Sequence, residues 1–279
     1  MIDKLPFYEW LKGHDVFSWL EPLWNSGNWF INWNGKLEPI RTQVAPDTPW
    51  VHHGHQERAD CFLGQLVFSV VAQRMKEFFA DGESFVPSAC QDCYKVVVRP
   101  KTLIQLFALD DLQANLGLPC KCGIEPRGSV HGLYGGYFYN RSLVAGQECY
   151  RKVRMAIDED SYLGPKIPII LKRACTEMEH GVGPSDKWII SEEQQVVEEL
   201  IREWLVIPDD FQDQPTPVIW RTKRKWIEFA YAYGDETYKK FTGGKPITPG
   251  YVTYHKEGSN LWTVDMNTST NLATSKSAA

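Results

Sequence analysis

The sequence predicts an α+β fold, predominantly helical, with small antiparallel hairpins and a four-cysteine metal-stapled subregion in the middle of the chain. Three observations carry this expectation. Several stretches repeat apolar residues at helical spacing, two segments set strand formers around glycine turns, and four of the seven cysteines fall in two tight pairs. With 279 residues, the chain can bury a core of ordinary size without crosslinks.

Taken in order, residues 14–24 read as an amphipathic helix. Strand formers at 29–33 and 36–40 flank Asn34-Gly35, the favoured two-residue turn, and Pro39 marks the return strand as an edge. A loop broken by Pro46 and Pro49 follows. Residues 57–80 form the most apolar helical pattern, with Phe62, Leu66, Val70 and Phe78 among side chains that cover most of its circumference; it is the expected central helix. The cysteine region then reads as a turn at 90–93, a β-branched strand at 95–99, a helix at 102–116 and a loop carrying Cys120 and Cys122. Glycines alternating with aromatics at 128–140 suggest strand, turn and strand. Helices are expected at 142–157, 167–179 and 191–205, the last opening with Ser191 and Gln194 in capping-box spacing. The Pro-bearing acidic stretch 209–217 divides a main domain, 1–208, from a basic and aromatic segment, 218–266, expected to pack on it; the small polar tail 267–279 is expected to be disordered.

Composition narrows the function classes. Thirty basic and 35 acidic residues give a net charge of −5, so no global positive field draws the chain to phosphate polymers, and nucleic-acid contact would have to be local. Aromatics make up 13% of the residues, enough for a Trp-rich core and an aromatic binding face. The start of the chain lacks an apolar targeting region, and no apolar run reaches the ~18 residues of a membrane span, so the expected location is the cytoplasm.

Four constellations are candidates for chemistry. Cys90, Cys93, Cys120 and Cys122 are the first: a C-x-x-C knuckle and a C-x-C pair supply four thiolates, which suit zinc and close its coordination shell, making the site structural. An iron–sulfur cluster is the alternative, and cysteines without metal the third reading. His52, His53 and His55, with Glu57 and Asp60 after them and His131 further on, are a second set of potential metal ligands, with an open position for hydrolytic chemistry. Solvated loop histidines are the plainer account. Third, Cys175 and His180 bring a thiol and an imidazole near one helix end, but on a helix the two point in different directions, which argues against an activated nucleophile there.

The fourth constellation is basic and aromatic. Arg221, Lys223, Arg224 and Lys225 stand between Trp220 and Trp226, a mixture that suits phosphate neutralisation and base stacking. Tyr134, Tyr137 and Tyr139, flanked by Arg127 and Arg141, would add a stacking platform if exposed, and the glycines among them match neither phosphate-loop pattern. Together these features point to a zinc-stabilised binding or interaction protein that contacts nucleic acid, or an acidic protein surface, through a basic aromatic surface. A metal-dependent enzyme built on the histidines and an iron–sulfur redox protein are the competing expectations.

Overall fold

The computed structural model describes residues 15–21, 25, 29–39, 49–54, 86–190, 192–206, 214–247, 251–255 and 261–265. Its contacts divide the chain into two compact units, Met1–Trp226 and Ile227–Ala279, the division falling inside a helix.

In the first unit, β1 (Trp29–Ile31) and β2 (Leu37–Pro39) form a separate hairpin. Five further strands, β3 (Trp50–His53), β4 (Tyr94–Val98), β5 (Cys120–Ile124), β6 (Tyr134–Asn140) and β7 (Ile169–Arg173), make one antiparallel sheet in the order β3-β5-β6-β4-β7. The helices are α1 (Ser88–Gln91), α2 (Leu103–Leu116), α3 (Leu143–Glu159), α4 (Thr176–Val182), α5 (Glu192–Glu203) and α6 (Thr216–Ala232), which runs on into the second unit. This mixture of helix and antiparallel sheet is the expected α+β class.

Local chemistry sets the helix ends. Thr102 Oγ1 accepts the amide of Gln105 at 3.4 Å at the start of α2, and Gly117 closes it at φ +61°, a left-handed conformation that glycine adopts without a Cβ clash. Ser142 Oγ does the same for α3 by accepting from Ala145 at 3.1 Å.

The register sorts the sheet into two faces, because residues directly paired across strands point to the same side. Leu171, Val96, Phe138, Cys120 and His53 form one row, and Ile169, Val98, Gly136, Cys122 and Val51 the next. Helices α2 and α3 cover this face, where Val96, Val98, Phe138, Leu106, Leu109, Val153 and Ile157 are completely buried. Gly136 allows the close approach: a Cβ there would lie 2.4 Å from Leu109 Cδ2. The intervening rows, with Lys172, Lys95 and Tyr139 and with Ile170, Val97, Tyr137, Lys121 and His52, face the other way.

The edge strand β3 is met by residues from the end of the unit. Buried Gln214 donates to Trp50 O at 3.1 Å and accepts from the amide of His52 at 3.2 Å, while Trp226 Nε1 donates to Pro49 O at 2.8 Å. In the second unit, Asp235 caps a 3₁₀ turn at Glu236–Phe241, Phe229 stacks on Tyr233, and β8 (Tyr251–His255) pairs antiparallel with β9 (Leu261–Asp265).

Several expectations are corrected. The first hairpin has the expected strands but not a two-residue turn: Asn32 and Lys36 close the loop through a 2.8 Å backbone hydrogen bond, and Asn32 Oδ1 accepts the amides of both Asn34 and Lys36 at 3.0 Å. The asparagine side chain thus organises a longer turn that still needs Gly35 at φ +73°. Cys120 and Cys122 lie in a strand rather than a loop, and 128–140 supplies one strand, paired with β5 and β4, with Glu125 N bonded to Leu133 O at 2.9 Å across the turn from β5. Residues 167–179, expected as one helix, split into β7 and α4, because Ile169 to Arg173 pair in full with β4 and tertiary pairing outweighs the helical periodicity. Gln194 Nε2 donates to Val86 O at 2.5 Å and to Glu198 Oε1 at 2.7 Å. The expected central helix at 57–80, Ser191 and the tail 267–279 lie outside the described residues. No described helix is long and apolar enough to cross a membrane.

Candidate functional site

The four paired cysteines are not brought to one point. Cys120 and Cys122 share a side, as their spacing requires, but it is the helix-covered face: the Cys122 thiol donates to Asp110 Oδ1 at 3.7 Å, and Cys120 faces Gln113 O at 4.0 Å on α2. Burial, reinforced by the nearby Asp110 charge, pushes both thiols up. Cys90 sits beyond β4, two strands away from β5, and packs with Val86, Ala174, Met178 and Trp188 on the opposite side of the sheet. Among the described residues no group of three or more His, Cys, Asp or Glu is placed to hold a metal ion. The described residues therefore do not show the expected four-thiolate centre.

The histidine cluster is divided by the same alternation. His52 and His53 are consecutive strand residues and point to opposite faces, and His55, Glu57 and Asp60 lie outside the described residues. His53 Nε2 lies 2.9 Å from Oδ1 of Asp110, whose other oxygen pairs with Lys223. Burial alone would raise the Asp110 carboxyl, but hydrogen bonds from His53 and Lys223 outweigh it and hold it below the ordinary value. Lys223 thus has a carboxylate partner on α2. His131 is exposed in the turn before β6, and His180 is exposed near the end of α4.

Of the basic aromatic stretch, Arg221 and Arg224 are exposed, Lys225 is half-buried, Trp220 is exposed and Trp226 is completely buried, its ring edge-on to Phe107 at 5.5 Å. Tyr134 is completely buried on the helix face and Arg141 is exposed. Tyr137 is buried too, with its ring 5.6 Å from Trp50 and its hydroxyl donating to Glu125 Oε2 at 2.6 Å. Tyr139 is half-buried beside it with Lys95 5.5 Å from its ring centre.

The second face instead carries a cavity of about 240 Å³. Lys95, Arg99, Lys121, Arg127 and Lys172 line it, with Tyr137 and Tyr139 on the sheet and Cys90, Ala174, Cys175, Thr176, Glu177 and Met178 opposite. Three of the cations come from one register pattern: Lys95, Lys121 and Lys172 each occupy a strand position whose side chain leaves the helix-covered face. Gly135, on the same side, leaves room where a Cβ would come 3.1 Å from Arg99 Nη1. Buried Glu125 anchors the cluster from behind, accepting from Arg127 at 2.5 Å and from Tyr137, with Arg99 4.0 Å away. Burial tends to raise the Glu125 carboxyl, yet the hydrogen bonds from Arg127 and Tyr137 hold it low and ionised. Arg127 also pairs with Glu177, and Lys172 with Glu179 at 2.7 Å.

Lys95 is only 5% exposed, a burial that an ammonium tolerates only with partners, and its Nζ donates to Cys175 Sγ at 2.7 Å. Between Cys175 and β7 stands Ala174, the one described non-glycine residue with positive φ, at +54°, its amide bonded to Cys93 O at 2.7 Å. A left-handed alanine is strained by roughly 1–2 kcal/mol. Sequence reasoning reached Tyr137, Tyr139 and Arg127 but missed the lysines and the partner of Cys175. The available signal was a single lysine set in each of three apolar strand-like runs, at 95, 121 and 172.

Comparison with family models, curated proteins and solved structures finds no match, so this geometry alone bears on function.

Proposed function

We propose that the protein is a binding protein for a small anionic ligand, one bearing a phosphate or carboxylate group, received in the second-face cavity. The observation that supports it is the convergence of five cationic side chains on one cavity where, among the described residues, a single carboxylate, Glu177, joins the lining. Even with Glu125 and Glu179 counted, the cluster keeps an excess of positive charge within a chain of net charge −5. Like charges held together in a half-buried space raise each other's energy, and an entering anion relieves that repulsion. Arg99 offers a planar guanidinium, the lysines point charges, and Tyr139 an apolar wall.

Calorimetric titration of the full chain with pyrophosphate and with citrate in low salt tests this reading. Binding is expected with at least one of them, weakening as salt rises, and Lys121→Gln should reduce the affinity about tenfold. Absence of binding by either anion in low salt rejects it.

Exposed Trp220, Arg221 and Arg224 on one helix support a second reading, contact with single-stranded nucleic acid. It predicts that Arg221→Glu with Arg224→Glu and Lys225→Glu abolishes oligonucleotide retention in low salt while Lys121→Gln does not. Lys223 is left unchanged in that variant because its loss would strip Asp110 of its partner.

A further inference from the structure

We infer that the second-face cavity is a reactive-cysteine site, in which Cys175 attacks an anionic acyl donor of the acyl phosphate class. The inference rests on the proposed anion-binding role of the cavity and adds a covalent step to it.

The cavity and its charges carry the argument, more than the thiol alone. Cys175 is half-buried and lines the same wall as Glu177 and Met178, while Lys95, Arg99, Lys121, Arg127 and Lys172 line the space in front of it. Its sulfur is held at a fixed point by the 2.7 Å hydrogen bond from Lys95, itself immobilised by burial in the sheet. The residue before it, Ala174, holds a left-handed conformation, and strained backbone next to a side chain that faces a cavity is a recurrent feature of reactive centres. Cys120, Cys122 and Cys149 differ on each count, being buried under helices on the other face or within α3. Cys90 lines the cavity but is buried in the apolar cluster with Val86 and Trp188.

In the proposed step the Cys175 sulfur attacks the carbonyl carbon and an S–C bond forms. The C–O bond to phosphate breaks, phosphate leaves with the electron pair of that bond, and the thiol proton passes to the departing phosphate oxygen. The enzyme is left as an S-acyl cysteine, with no net oxidation. Arg99 and Lys121 are placed to receive the phosphate, which is where negative charge grows as the bond breaks. Lys95 stays beside the sulfur as the hydrogen-bond donor that orients it.

Alkylation reads the same reactivity with simple probes. The folded chain is treated in parallel with iodoacetate, which is anionic, and iodoacetamide, which is neutral; the sulfur displaces iodide, and each cysteine peptide is quantified by mass spectrometry. Cys175 is expected to react first among the cysteines, with an iodoacetate-to-iodoacetamide rate ratio about tenfold above that of the same peptide in the urea-unfolded chain. Acetyl phosphate should add one acetyl group at Cys175, and pyrophosphate should protect it from iodoacetate. Lys95→Met should lower the rate ratio severalfold; because so buried a lysine bears on folding, Lys121→Gln, which sits in the sheet but less deeply, serves as the second variant and should lower it too.

A rate ratio equal to that of the unfolded chain, or one unmoved by Lys121→Gln in a folded variant, overturns the inference. Pyrophosphate binding with a flat ratio would sink the covalent step while leaving the anion site standing; loss of both would sink the two readings together.

Discussion

The two faces of the central sheet each bury a carboxylate among hydrogen-bonding side chains that include a cation, yet they use the arrangement differently. On the helix-covered face, Asp110 of α2 is enclosed by His53, Lys223 and the Cys122 thiol. On the other face, Glu125 holds Arg127 and Tyr137 in the same manner, but the charges in front of it look into a cavity. Satisfied polar groups in a packed layer stabilise and do nothing further; the same groups beside open volume hold a field ready for a ligand. Charge inside a protein therefore points to function only where space accompanies it.

Breaking the filled face should have the largest effect. Asp110→Ala leaves the Lys223 ammonium without its buried partner and should destabilise the first unit by about 3–5 kcal/mol, read as a shift in the urea midpoint. Because the folded Asp110 carboxyl lies below its ordinary value, its contribution is complete above the unfolded pKa of about 3.9 and is lost as the pH falls through the lower folded value. The urea midpoint of the parent chain should fall over that acid window, and more steeply than in Asp110→Asn; parallel slopes would remove Asp110 from the account.

A smaller effect of opposite sign is expected at the cavity. Ala174→Gly should raise stability by about 1 kcal/mol or less, since relief of the left-handed strain exceeds the added freedom of glycine in the unfolded chain only slightly. A loss of more than that would mean that Ala174 is held by its packing with Cys90 and Met178 rather than strained against it.

The smallest effect concerns metal. With Cys120 and Cys122 on one face and Cys90 on the other, a chelator should leave the melting temperature unchanged. A drop of several degrees would return the cysteines to a shared ion and would blur the contrast between the faces.

How much of this was legible in the sequence depends on how local each feature is. The first hairpin, α2 with its Thr102 cap and Gly117 stop, α3 and α5 could be read because neighbouring residues determine them. Strand β7 could not, since Ile169 to Arg173 become a strand only by lying against β4. The same limit applies to the sites. Spacing correctly placed Cys120 and Cys122 on one side of an extended backbone, but which side, and what covers it, depends on strand order: β6 separates β5 from β4. Lys95 and Cys175 meet across 80 positions, and neither is flanked by anything that names the other. Lys223 shows the converse limit. It sits in the densest basic run of the chain, where only the fold reveals that its charge is already engaged.

The hold of Gln214 on β3 has a bearing on how the chain is made. Its side-chain amide contacts Trp50 O and His52 N as an adjoining strand would, sealing an edge that could otherwise template pairing with another copy. That seal, and the Trp226 contact to Pro49, join positions 164 and 177 residues apart. During synthesis, β3 emerges long before its cover, so for most of the translation time its outer edge is bare. The interval in which the nascent chain is most prone to aggregate is thus fixed by how late residues 214–226 leave the ribosome.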